Sequence, residues 1–213
     1  MKKLLVFPLL LLNFQAFACG DYTTPLPKWR VGIIAAGHYS SLFYGFRPSF
    51  LPGVQVNRQF GKYELRLAVE HTQMTTEGSG MPNYMWGKGH SSRTLVRAGI
   101  ERSIPLTRWL AVYGAADLAA QFGNSKVDAM GCFGPMGVIT SRSRGAGIIP
   151  AVGVRFKMGP RISCFAEYRA EFFINDVRQK TKFGGNTESR PVNYTETDFE
   201  FGKIGHVGIQ IAF

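Results

Sequence analysis

The chain has 213 residues, enough for one domain and no more implied, and 25 Lys and Arg against 14 Asp and Glu give it a formal charge of +11. A basic balance of this size fits an anionic partner, either nucleic acid or lipid. The three cysteines, Cys19, Cys132 and Cys164, are too few and too scattered for a disulfide framework or a zinc pattern, and His71, His90 and His206 show no ligand spacing, so no metal site and no cofactor is expected.

The chain opens with Met1-Lys2-Lys3, an apolar run from Leu4 to Leu12, and Ala16-Phe17-Ala18. That order of charged, apolar and small residues predicts a secretory signal peptide over residues 1–18. The run is too short to span a bilayer, and Pro8 interrupts it. Removing Lys2 and Lys3, in a segment without Asp or Glu, leaves +9. An exported chain meets anionic lipid first, so nucleic acid is not expected as a partner. Cleavage after Ala18 puts Cys19 at the mature amino terminus and opens a lipoprotein reading, against which stand Ala16 in the place usually held by Leu and the bulky Phe17. Residues 19–28 form a Pro-bearing periplasmic lead.

From Trp29 the chain alternates with the period of an extended strand. Trp29, Val31, Ile33 and Ala35 share one face to about Tyr39; Val54, Val56 and Phe60 follow, after a Ser-, Gly- and Pro-bearing loop. Gly61-Lys62 is a tight turn. Tyr63, Leu65, Leu67, Val69 and His71 then oppose Glu64, Arg66, Ala68, Glu70 and Thr72. A loop is expected from Gln73 to Ser92, then a strand with Val96, Ala98 and Ile100 against Arg97, Gly99 and Glu101. After the turn at Pro105 comes a strand from Trp109 to Phe122, where Ala content makes helix an alternative. A Gly-rich loop is expected from Gly123 to Gly147. Strands around Val152 and Cys164, joined by a turn at Gly159-Pro160, precede a polar loop from Asn175 to Gly202.

The last strand, Lys203 to Phe213, sets Val207, Ile209, Ile211 and Phe213 against His206, Gly208, Gln210 and Ala212, and closes on an aromatic residue. An exposed edge strand of this kind invites aggregation, and a closed barrel has no edge. The eight segments are each near the length that crosses a bilayer when tilted. Their connections alternate long and short, which sends long and short ends to opposite rims. In this ending and this rhythm the chain from Trp29 to Phe213 resembles the small OmpA/OmpX-type outer-membrane β-barrel proteins of Gram-negative bacteria. The resemblance implies an all-β fold, an eight-stranded antiparallel up-and-down transmembrane β-barrel over residues 29–213. It also implies an outer-membrane location, short turns facing the periplasm, long loops facing outward, and Phe213 as the signal read by the barrel-assembly machinery.

Alternation leaves open which face is inside, since soluble barrels line a cavity with their apolar face. The leader, the ending and the segregated loops put the polar face inward. That face pools Arg66, Glu70, Arg97, Glu101, Asp117, Arg155, Glu167, Arg169 and Glu171 beside Gly and Ala. A network is expected in which Arg66, Arg97 and Arg169 engage Glu70, Glu101, Glu167 and Glu171, because buried ions require partners. Trp29, Tyr39, Phe60, Tyr63, Trp109 and Phe213 suit interfacial girdles.

The short-turn rim gathers Lys28, Arg30, Arg58, Lys62, Arg102, Arg108, Lys157 and Arg161. Of these, Arg58, Lys62, Arg108 and Arg161 are expected to meet anionic lipid headgroups. His38 and Ser40 sit two apart on a strand, as a base and a nucleophile require, and the pair resembles the His-x-Ser of lipid A deacylases. In those enzymes it lies late in the chain with an acidic partner following; here it lies in the first strand. The reading is therefore a monomeric integral outer-membrane barrel with a structural or surface-interaction role through its long loops, whose ligand the sequence does not name, in contact with outer-membrane lipids and not assigned as an enzyme. A lipid-modifying enzyme and a narrow small-solute pore stay open beside it.

Overall fold

The computed structural model describes residues 29–38, 49–77, 88–131, 134–183 and 190–213. Eight strands follow one another: β1 (Trp29–His38), β2 (Ser49–Phe60), β3 (Tyr63–Glu77), β4 (Lys88–Pro105), β5 (Leu110–Gly131), β6 (Gly134–Lys157), β7 (Ile162–Phe183) and β8 (Val192–Ala212). Each pairs antiparallel with the next, and β8 pairs back on β1 from Arg30↔Ala212 to His38↔Ile204, so the sheet is a closed up-and-down barrel. The proposed leader over 1–18 and lead over 19–28 fall outside the described residues.

The three short connections lie at one rim. Gly61 turns with φ of +61°, a left-handed conformation that only glycine adopts at little cost, and its carbonyl accepts from the Gln59 amide at 2.5 Å. At the second, the Thr107 hydroxyl accepts from the Leu110 N–H at 3.0 Å while the Leu110 carbonyl accepts from Leu106 and Thr107. At the third, Met158 N–H donates to the Ile162 carbonyl at 2.9 Å. Here too the first and last strands meet: Phe213 N–H donates to the Trp29 carbonyl at 2.9 Å, and Trp29 N–H returns to the Phe213 carbonyl at 3.4 Å.

Exposure settles which face is inside. Leu118 is 70% exposed and Ile33 69%, whereas Arg97 on the opposite face of its strand is 1% exposed. The outer face of β5 runs apolar from Leu110 through Val112, Ala116 and Leu118 to Phe122. Twelve steps of ~3.3 Å, tilted by ~45°, rise about 28 Å, close to the hydrocarbon thickness. Aromatic side chains mark both edges of this belt. Trp109 stacks with Phe156 at 6.0 Å near the short turns, and Phe172 with Phe199 at 4.4 Å toward the opposite end. Of the girdle expected from sequence, Trp29, Phe60, Tyr63, Trp109 and Phe213 are exposed at the short-turn edge; Tyr39 is outside the described residues.

The long connections differ from expectation. The loops assigned to Gln73–Ser92, Gly123–Gly147 and Asn175–Gly202 are largely strand: β3 and β4 pair out to Glu77↔Lys88, β5 and β6 to Gly131↔Gly134, and β7 and β8 to Gln179↔Val192. Beyond the belt neither face meets hydrocarbon, so the alternation that betrays a strand is lost while the ladder hydrogen bonds persist. In β8 the register also slips between Tyr168↔Gly205 and Ala170↔Phe201, an irregularity that breaks the pattern where the sequence suggested a loop. The helix considered for Trp109–Phe122 is strand, as its turns argue.

Candidate functional site

The lumen is the most ordered polar assembly in the molecule. Because eight strands close a ring, β3 and β7 stand diametrically opposite. Arg66 on β3 reaches Glu167 on β7 at 2.7 Å, and Arg169 on β7 reaches Glu70 on β3 at 2.9 Å. These bonds cross the bore directly. Arg66 also holds Asp117 on β5 through Nε at 2.7 Å and Nη2 at 2.7 Å, and approaches Glu101 at 3.5 Å. Arg97 bonds Glu70 at 2.9 Å, Asp117 at 2.5 Å and the Gln55 amide oxygen at 3.2 Å. Arg169 pairs in addition with Glu167 on its own strand and lies 3.0 Å from His206 Nε2.

Local sequence makes this possible. In the ladder Arg66 faces Gly99, which in turn faces Asp117. A Cβ on Gly99 would stand 2.2 Å from the Asp117 carboxylate, so the glycine opens the path along which Arg66 reaches across a whole strand. Gly208 gives the same clearance to Phe165, whose ring would lie 2.4 Å from an added Cβ. Phe165 packs with Ile34, Ala68 and Tyr113, one from each odd-numbered strand, in an apolar layer within the lumen. A second layer holds Leu95, Ala119, Ile149 and Phe173.

Glu101 keeps the expected Arg66 at 3.5 Å and gains a closer partner, and Glu171 finds a partner other than those expected. Glu101 is bonded chiefly by Arg155 at 2.6 Å, and Glu171 by Arg93 at 2.7 Å. Arg93, half-buried at the upper lumen beside the Phe173 ring, was not anticipated. Arg30, assigned to the short-turn rim from its position in the chain, points inward and pairs with Glu64. Its inward parity along β1 overrides its nearness to the rim. Among the described residues, the ion pairs inside the barrel join six arginines, Arg30, Arg66, Arg93, Arg97, Arg155 and Arg169, to six carboxylates, Glu64, Glu70, Glu101, Asp117, Glu167 and Glu171.

At the short-turn rim Arg58, Lys62, Arg108 and Arg161 are exposed. The Arg58 guanidinium lies 5.0 Å over the Trp29 ring and that of Arg102 5.9 Å over Tyr63, which holds both at the level of the aromatic girdle. Phe213 is exposed at the same level. Ser40 lies outside the described residues, and so does the side chain of His38, whose backbone pairs with Ser49 and Ile204. Among the described residues no group of three His, Cys, Asp or Glu is placed to hold a metal, and Cys164 is a free thiol on the outer face.

No family model and no curated protein matches the sequence. Among solved structures, a major outer membrane protein from Thermus thermophilus is similar with a TM-score of 0.58 at 12% identity, over 87% of this chain and 99% of that one. Neisserial surface protein A matches at a TM-score of 0.46 and 17% identity over 89% and 100%. Ail, the attachment invasion locus protein of Yersinia pestis, matches at 0.42 and 13% over 87% and 96%. Identities this low speak to the fold alone, and of these three the Thermus protein shares it at a TM-score above 0.5. With its apolar belt outside and its ions inside, the chain shares the β-barrel fold of that outer membrane protein.

Proposed function

We propose that the protein is a monomeric, non-conducting barrel of the outer membrane whose role is structural and exercised at the cell surface by the paired strands that extend past the apolar belt. The observation that carries this reading is the pair of salt bridges spanning the bore between β3 and β7, with apolar layers packed beside them. A lumen filled in this way leaves the outward hairpins as the surface available for recognition. On β5 and β6 they run about nine residues past Phe122, on the order of 20 Å of tilted strand. By analogy with other outer-membrane barrels, the long connections face outward and the short turns face the periplasm.

Single-channel recording in planar bilayers tests the reading. The purified, refolded protein is expected to leave the bilayer without stable conductance steps. Stable, large channels would instead assign it to solute passage.

A further inference from the structure

Above the belt, on the outer wall rather than in the lumen, the hairpins of β4 to β7 carry a concentration of cations. One ladder row reads His90, Lys126, Thr140, Lys180 across four neighbouring strands, and in the row nearer the belt Arg142 stands directly opposite Arg178. All of these side chains have outward parity, and Lys126, Arg142, Arg178 and Lys180 are exposed. They line one cleft of about 550 Å³, with hydroxyl groups between the cations and no carboxylate in its lining. None of the four is ion-paired among the described residues. Two carboxylates flank the cleft: Asp176 faces Arg144 one row below and accepts from the Thr195 hydroxyl at 3.0 Å, and Asp128 lies two residues above Lys126.

Like charges directly opposite on a ladder destabilise a sheet. The pairing of Arg142 with Arg178 is therefore a repulsion that no direct ion pair relieves among the described residues, and an anion between them removes it. Height identifies the anion. Arg142 lies two residues past Arg144, which faces Phe122 at the upper edge of the belt, so these guanidinium groups reach the level of the headgroups and not of the bulk solvent far above. Arg and Lys on a lateral wall at that height meet lipid first, and a guanidinium recognises a phosphate through two parallel hydrogen bonds.

We propose that the outer wall of the β4–β7 hairpins is a docking surface for the phosphorylated headgroup of an outer-leaflet lipid, held by Lys126, Arg142, Arg178 and Lys180. The proposal rests on the membrane reading above and adds the lipid partner and its site.

The test uses the full-length protein refolded in uncharged detergent and titrated with bisphosphorylated lipid A and with the same lipid stripped of phosphate, inorganic phosphate serving as competitor. The wild-type protein is expected to prefer the phosphorylated lipid by about tenfold, and the variant K126Q/R142Q/R178Q/K180Q to lose that preference while keeping heat-modifiable gel mobility. Persistence of the preference in the variant overturns the proposal, as does equal binding of the two lipids by the wild type. Displacement of the lipid by inorganic phosphate at equal concentration also overturns it, by showing a site for the free ion. Insertion of the wild type into vesicles is measured alongside: a chain that inserts but has no phosphate preference refutes the docking surface and leaves the membrane reading standing, whereas one that does not insert refutes the reading beneath it.

Discussion

Glu167 concentrates the energetics of the lumen in one side chain. It accepts from both terminal nitrogens of Arg66, at 2.7 and 3.1 Å, and from Nε of Arg169. Glutamine at this position keeps the shape and removes the charge, leaving two guanidinium groups short of an anion in a confined space. We predict that Glu167→Gln lowers the urea midpoint of unfolding in lipid vesicles, by about 3 kcal/mol when converted to free energy. An unchanged midpoint would mean that the interior is hydrated well enough to solvate these groups one at a time. Parity along a strand made the face of these residues legible in the sequence. It could not give their height or their partner across the bore: Arg93 has no apolar alternation around it to show that it points inward, and Arg30, whose parity along β1 is inward, gives no sign that it pairs with Glu64. The Arg66–Asp117 bond depends on Gly99 in the strand between them, a relation between residues 51 positions apart that no local pattern displays.

At the scale of the element, the last strand closes the barrel on the first. β8 lies between β7 and β1, and Phe213, the residue after it, exchanges backbone hydrogen bonds with Trp29 while its ring sits in the girdle. If Phe213 is also what the assembly machinery reads, deleting it leaves an exported chain that does not assemble. In cells this predicts loss of heat-modifiable mobility and of surface exposure, and normal behaviour of the deletion on both counts would refute the assignment. Strands inside the belt were legible because lipid on one side and ions on the other force a period of two. The outer halves of β5, β6 and β7 were not, since Asn124, Ser125, Ser141 and Ser143 are polar on both faces and read as loop. What holds them is ladder pairing from Phe122↔Arg144 up to Gly131↔Gly134, which composition does not encode.

On the scale of the molecule, the apolar belt lies between two ends that both carry exposed cations. The short-turn rim presents Arg58, Lys62, Arg108 and Arg161 outward, with Arg58 seated on Trp29. Each cation near an anionic surface contributes about 1 kcal/mol before screening. Changing the four together to Gln is therefore expected to weaken insertion into vesicles containing anionic lipid, and to remove much of its salt dependence. Equal insertion by variant and wild type at low ionic strength would show the rim to be ordinary solvated turn surface.

The balance of six arginines and six carboxylates in the interior ion pairs of the described residues bears on how salt acts on this protein. The interior pairs cancel, so the formal surplus of +11 is carried by the rest of the chain. Mobile ions screen charges that face water over roughly 10 Å at 0.1 M, and have little access to pairs sealed within the strands. Ionic strength is thus a dial on how the barrel adheres to its surroundings, and nearly silent on how tightly it is held together.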